Sequence, residues 1–231
     1  MSQTPWQAQV AYYRHRAAEY DLTSYEDVPR ADRRIAALLD QLRPDGDILE
    51  IACGTGIWTS HLASHARSLT ALDAAPEMIA LARQRVTDPS VTFVAADVLD
   101  WVPLRRYDTV FFGFWLSHVP PARFAQFWST VRAALRPGGR ACFIDTSDRE
   151  HEIEHVLPEQ PAPAARRVLR DGSEYRVVKL FWRPEELAAR LAGLGWSADI
   201  RRTGNRFLAG TATRGPLPRP GLEMLPRCPR R

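Results

Sequence analysis

Lysine is almost absent from this sequence: of 31 basic residues in 231, only Lys179 is not arginine. So uniform a bias reflects genome composition more than selection for binding phosphate. Cysteine is scarce as well. Cys53, Cys142 and Cys228 stand far apart with no CxxC pair, which excludes a disulfide framework and reads as reduced thiols in a cytoplasmic protein. No run approaches the ~18 apolar residues of a membrane span. The opening MSQTPWQAQV lacks the charged-then-apolar pattern of an export signal, so no membrane partner is expected. The formal charge of +4 belongs to the tail: beyond residue 213 there are five arginines and one acid, Glu223. The preceding residues hold 26 bases and 26 acids, and a balanced body argues against a nucleic-acid partner.

With 45% apolar and 25% charged residues, the chain has the make-up of a globular domain that needs no disulfide or metal staple. Residues 5–42 read as helical, with Pro5 at a favoured first position. Ile35, Leu38, Leu39 and Leu42 follow at helical spacing. From residue 46 short apolar runs (DILEIAC, SLTALDA, VTFVAAD, YDTVFFGFW, RACFID) alternate with helical segments. That alternation predicts an α/β, Rossmann-like, doubly wound sheet. Residues 147–173 are polar and proline-bearing. EYRVVKLFW then reads as a strand, RPEELAARLAGLGW as a helix, and WSADIRRTGNRFLAGTA as two strands around Gly204-Asn205. The expected architecture is seven strands, mostly parallel with the last antiparallel. A helical cap (1–45), a core (46–213) with a lid insertion at about 147–182, and a proline-rich disordered tail (214–231) complete it.

The segment ILEIACGTGIWT, residues 48–59, carries most of the chemistry. A strand ends at Glu50-Ile51, a turn with Ala52, Gly54 and Gly56 follows, and a helix begins near Ile57. Small residues let a ligand approach the backbone, and free N–H groups at the helix start attract an anionic ligand group. A dinucleotide fingerprint needs a small residue at position 59, where Thr59 stands. Glu50 disfavours a diphosphate but suits a ligand ammonium group. Asp73 ends the next strand, 19 residues after Gly54, where a carboxylate can accept from both ribose hydroxyls. Asp97 ends the third, placed to accept from an adenine amino group.

These blocks, with YDTVFFGFWLSHVP and LRPGGRACFID behind them, resemble the class I S-adenosylmethionine (SAM)-dependent methyltransferases over residues 46–146. The family's first turn glycine is Ala52 here. The resemblance implies SAM as cofactor and a small-molecule acceptor methylated on O or N. It implies that Ala52, Cys53, Gly54 and Gly56 line the methionine end and ribose, and that Asp73 holds the ribose hydroxyls. Ala74 and Met78 would flank the adenine, Asp97 and Val98 would fix its edge, and Phe114 with Trp115 would close the methionine side. YYRHRAAEYD resembles the family's cap helix, from which Tyr13, Arg16 and Tyr20 would fold over the SAM carboxylate and sulfonium; helix packing is the alternative.

His118, in FWLSHVP, is a candidate general base; its alternatives are ordering the loop or touching SAM. Asp145, ending the fifth strand, is a second candidate near the substrate. Trp115 and Trp182 are the aromatics assigned to an apolar substrate wall; Arg176 and Lys179, on a lid element, are candidates for a substrate carboxylate, with a two-sided edge strand as the alternative. HEIEH (151–155) matches the zinc-peptidase HExxH pattern, but Pro158 cuts that helix short and no third histidine follows, so no metal is expected. FWLS in place of a DPPY-like tetrad disfavours N6-adenine methylation. A cyclase or aminocarboxypropyl transferase, which shares every cofactor motif, a zinc hydrolase and a non-catalytic SAM-binding module are the alternatives in function. A monomer or homodimer fits the length.

Overall fold

The computed structural model describes residues 5–24, 28–149, 156–157 and 162–215. HEIEH and all of the tail beyond Gly215 lie outside the described residues. In chain order, helices α1 (Pro5–Arg16), α2 (Tyr20–Ser24) and α3 (Val28–Leu42) precede the sheet. Then come β1 (Gly46–Ile51), α4 (Ile57–Leu62), β2 (Ala66–Asp73), α5 (Pro76–Arg85), β3 (Val91–Ala95) and β4 (Tyr107–Gly113). They are followed by α6 (Phe124–Ala134), β5 (Leu135–Thr146), β6 (Val156–Leu157), β7 (Ala164–Val168) and β8 (Glu174–Val178). Helix α7 (Pro184–Gly193) and the hairpin β9 (Trp196–Thr203) and β10 (Phe207–Arg214) close the fold. Among the described residues no helix is long and apolar enough to cross a membrane.

Seven strands lie in the order β3-β2-β1-β4-β5-β10-β9. β1 pairs in parallel with β2 and β4, and β4 with β5. β10 runs antiparallel to both β5 and β9, so the last strand in the chain is the one that opposes the other six. This is the Rossmann-like sheet expected from the alternation of runs. The central strands are apolar almost throughout because both faces are covered. Successive side chains point to opposite sides, which sorts the core into two layers. Ile48, Phe111, Cys142 and Ile144 pack with Ile35, Leu38, Leu39 and Leu42 of α3 and with Trp58 and Leu62 of α4. On the other face Leu49, Phe112 and Phe143 meet Phe127, Trp128 and Val131 of α6 and Leu187 and Leu191 of α7. Phe112 stacks on Phe143 at 5.4 Å with Trp128 edge-on to both, a geometry that adds roughly 0.5–1.5 kcal/mol per pair beyond burial.

Two local expectations change. The strand expected over EYRVVKLFW, within the lid insertion, is shorter than expected. β8 stops at Val178 and pairs with β7, which pairs with β6, in a separate antiparallel sheet. The polar, proline-bearing stretch 147–173 therefore contains β6 and β7. The helical expectation over residues 5–42 resolves into three helices with a 3-10 turn, Ala17–Glu19, after the first.

Candidate active site

The parallel strands end their carboxyl sides at one cleft, which their C-terminal turns and the first helices line together. Its floor is the turn after β1. Ala52, Gly54 and Gly56 all have positive φ, 56°, 53° and 81°. The left-handed backbone costs Ala52 roughly 1 kcal/mol that glycine would not incur. A Cβ on Gly56 would lie 3.0 Å from Ala82 of α5, so only glycine lets that helix pack on the turn. A Cβ on Gly54 would meet nothing within 4 Å, which leaves open space on the cleft side.

Asp73 fastens this turn. Gly54 N–H donates to its Oδ2 at 2.9 Å and Ala75 N–H to its Oδ1 at 2.8 Å, while Cys53 N–H donates to the Leu72 carbonyl at 3.1 Å. Burial raises the Asp73 pKa, and the donors at Ala75, Gly54 and Ala74 pull it back. Each oxygen retains lone-pair capacity toward the cleft. Glu50 is 2% exposed. Burial pushes its pKa up to about 8, with the Thr59 hydroxyl acting against this and the Asp73 charge reinforcing it. Its Oε2 has no hydrogen-bond partner among the described residues. A buried orphan carboxyl at the foot of the turn is complementary to a ligand ammonium group, and Asp73 is complementary to a diol. The donor set thus fits SAM.

Above the floor sits α1. Trp6, Gln9, Val10 and Tyr13 line the cleft from this helix, and Tyr20 from α2. The Trp6 indole N–H donates to Asp97 Oδ2, whose other oxygen accepts from Leu99 N–H at 2.9 Å. Gln9 donates to the His118 carbonyl at 3.1 Å and accepts from Val178 N–H at 3.0 Å. The helix is thereby joined at once to the loop after β4 and to the small sheet.

That loop carries His118, 8% exposed. Its Nδ1 lies 2.8 Å from the Val178 carbonyl, which obliges Nδ1 to carry the proton. In the neutral ring Nε2 then accepts from the Tyr13 hydroxyl, 3.1 Å away. Burial, followed by the positive charge of Lys179 and then of Arg167 and Arg16, holds the His118 pKa well below its usual value. Asp145 lies beneath the loop. It is fully buried and accepts from Ser117 N–H at 3.0 Å and from Thr146 N–H at 2.7 Å. Lys179 reaches Ser117 Oγ at 3.4 Å.

Of the residues singled out from the sequence, Tyr13, Tyr20, Ala52, Gly54, Asp73, Ala74, Met78, Val98, Phe114, Trp115 and His118 line this one cleft. Cys53 and Asp97 each stand between two lining residues in the chain, and Glu50 and Gly56 lie two positions from one, without lining it themselves. Cys53 is buried and its thiol pKa is raised by that burial. Arg16, Asp145 and Trp182 are placed elsewhere, and neither Arg176 nor Lys179 lines the cleft. The Arg16 guanidinium lies over the rings of Tyr20 and Tyr12, at 4.7 and 5.6 Å. Asp145 is enclosed as described. Trp182 packs on Phe124 at 5.5 Å within the core. Trp6, Gln9 and Val10 were missed by sequence reasoning.

A fold of this strand order, with a glycine turn after β1 and an acid after β2, defines a Rossmann-like enzyme for an adenosyl cofactor. A family profile described as "Methyltransferase domain" matches residues 48–139. The structure of DhpI with SAH superposes with a TM-score of 0.80 at 43% identity, covering 94% of this chain and 100% of that one. A DhpI complex with SAM and HEP agrees at 42% identity, TM-score 0.80, over 92% and 99% of the two chains. The malonyl-[acyl-carrier protein] O-methyltransferase of Anoxybacillus flavithermus is 37% identical over 38% of this chain and 36% of its own. Trans-aconitate 2-methyltransferase of Afipia carboxidovorans is 28% identical over 81% and 72%. Over the malonyl enzyme and two further curated relatives, the chain spans 36–50% of their length. The chain belongs to the class I SAM-dependent methyltransferases, and SAM is the cofactor of that family.

Proposed function

We propose that this protein methylates an oxygen atom of a small anionic molecule. The observation that carries the reading is the positive charge that acts on His118, a residue lining the cleft. Lys179, Arg167 and Arg16 all act on His118, and the latter two also on Tyr13. A neutral histidine and a neutral tyrosine among three cations suit an acceptor that brings its own negative charge. Two relatives support this by name, one an O-methyltransferase of a malonyl group and one a methyltransferase of trans-aconitate. The DhpI complex with both SAM and HEP supports a two-ligand cleft.

SAM supplies an electrophilic methyl group when bound. Glu50 would neutralise its ammonium group, Asp73 would hold its ribose diol, and Ala74, Met78 and Val98 would enclose its base. Trp115 and Phe114 exclude water from the reacting end. An ionised acceptor oxygen needs no base, so positioning supplies most of the acceleration. For an acceptor that arrives protonated, His118 Nε2 is the lone pair that takes up the proton once Tyr13 turns aside. Asp145 acts by holding the loop rather than by touching substrate. The division into a cap (1–45), a core (46–213) and a lid (about 147–182) follows from the same reading. The test is a panel of carboxylic and other oxyacids with SAM, read by mass spectrometry for S-adenosylhomocysteine and an acceptor heavier by one CH2. Turnover confined to uncharged amines would refute the anionic reading.

A further inference from the structure

Thr55, between the two glycines of the turn, is buried at 3% exposure, and its polar atoms are engaged from two directions. Its hydroxyl donates to Asp21 Oδ1 of α2 at 2.6 Å. The same hydroxyl accepts from Arg85 Nη1, at the end of α5, at 2.9 Å, and the Thr55 carbonyl accepts from that nitrogen at 2.6 Å. Arg85 Nη2 closes the ring on Asp21 Oδ2 at 2.5 Å. A cap residue, a residue of the cofactor turn and a residue of the helix flanking the adenine subsite thus share one charge-assisted network. The pair is about one-third exposed on each side, so what it lends is geometry more than bulk stability.

The turn needs such a hold. Gly54 and Gly56 have no side chains to define their left-handed backbone, and Asp73 restrains the turn only through Gly54 N–H. Thr55 is the position between them where a side chain can fix both. Asp21 also follows Tyr20, which lines the cleft.

We propose that Asp21, Thr55 and Arg85 form a clasp that sets the cofactor turn when the cap is docked, and that they are positioning residues for SAM affinity. The proposal rests on the turn being the SAM cradle. Its test is calorimetry with SAM together with steady-state kinetics on Thr55→Val, Thr55→Ser, Asp21→Asn and Arg85→Ala. Loss of charge-assisted hydrogen bonds is expected to raise the SAM Kd about 10- to 100-fold in Thr55→Val and Arg85→Ala. At saturating SAM kcat should stay within about threefold of wild type, and Thr55→Ser, which keeps the hydroxyl, should restore affinity. Asp21→Asn, which keeps the shape but not the charge, should fall between. Arg14→Ala, which breaks the exposed Arg14–Glu77 contact between α1 and α5, should leave the Kd unchanged. Wild-type affinity in Thr55→Val, or a lowered Tm with no change in Kd, would overturn the clasp alone. A wild-type protein that binds no SAM would overturn the cradle and the clasp together. If Arg85→Ala does not fold, Thr55→Val and Thr55→Ser decide the matter by themselves.

Discussion

The Tyr13 hydroxyl lies 3.1 Å from His118 Nε2, while Nδ1 of the same ring lies 2.8 Å from the Val178 carbonyl. Both nitrogens are occupied, and the tautomer follows from the carbonyl. Since burial keeps this imidazole neutral, a charge on it is costly in the fold. The unfolded chain takes up a proton below about pH 6.5 and the folded one only at lower pH. Its contribution to stability is therefore full above pH 6.5 and is lost as the pH falls. In thermal melts, His118→Gln should lose less Tm than wild type between pH 7 and pH 5. An equal loss in both proteins would contradict the neutral assignment.

Glu50 gives the opposite slope. With its pKa pushed up to about 8 in the fold, the carboxyl is protonated when folded but ionised when unfolded between pH about 4.5 and 8. Stability without cofactor is lost as the pH rises through that window. Glu50→Gln should flatten this slope and raise the Tm at pH 8, while weakening SAM. Binding of the cationic cofactor to wild type at pH 7 should release a proton, seen as a buffer-dependent enthalpy.

Asp73 has two duties that substitution can separate. Asp73→Asn keeps one oxygen acceptor for the turn but loses the charge. SAM affinity should fall by about 1.5–3 kcal/mol, with a smaller loss of Tm than in Asp73→Ala, which removes the acceptors of both Gly54 and Ala75. Unchanged affinity by calorimetry in Asp73→Ala would rule out the ribose assignment.

Lys179 should matter to the acceptor and not to the cofactor. Lys179→Met is expected to raise the acceptor KM by at least about tenfold, the scale of one charge-assisted contact, with the SAM Kd within about twofold. A Kd that shifts with the KM would move Lys179 to the cofactor end.

Ala52 holds a left-handed backbone at φ 56°. Ala52→Gly should raise stability by up to about 1 kcal/mol, and Ala52→Val should lower it by more, both measured by denaturant unfolding.

Legibility from sequence followed how strongly each feature constrains its neighbours. The doubly wound, mostly parallel sheet followed from the run-and-helix alternation, because strands joined by helices admit few other arrangements. Asp73 and the turn glycines were legible because a strand end fixes where the next residues point. Trp6, Gln9 and Val10 were not, because α1 (PWQAQVAYYRHR) has no one-sided apolar stripe. One side of it meets the cleft and another the small sheet, and no period reports that. Trp115 and Trp182 are chemically alike in the sequence, yet one lines the cleft and the other sits against Phe124. Trp182 is held there by an isolated bridge to Ser147 just beyond β5, a pairing that no sequence period advertises.

Gln9 turns the cap into something other than a free flap. Its amide accepts from a backbone N–H on one side and donates to a backbone carbonyl on the other, as a peptide unit does between two strands. Through that borrowed rung the first helix, the histidine loop and the small sheet are bolted into a single leaf. A displacement of the first helix therefore breaks its bonds to the histidine loop and to the small sheet together.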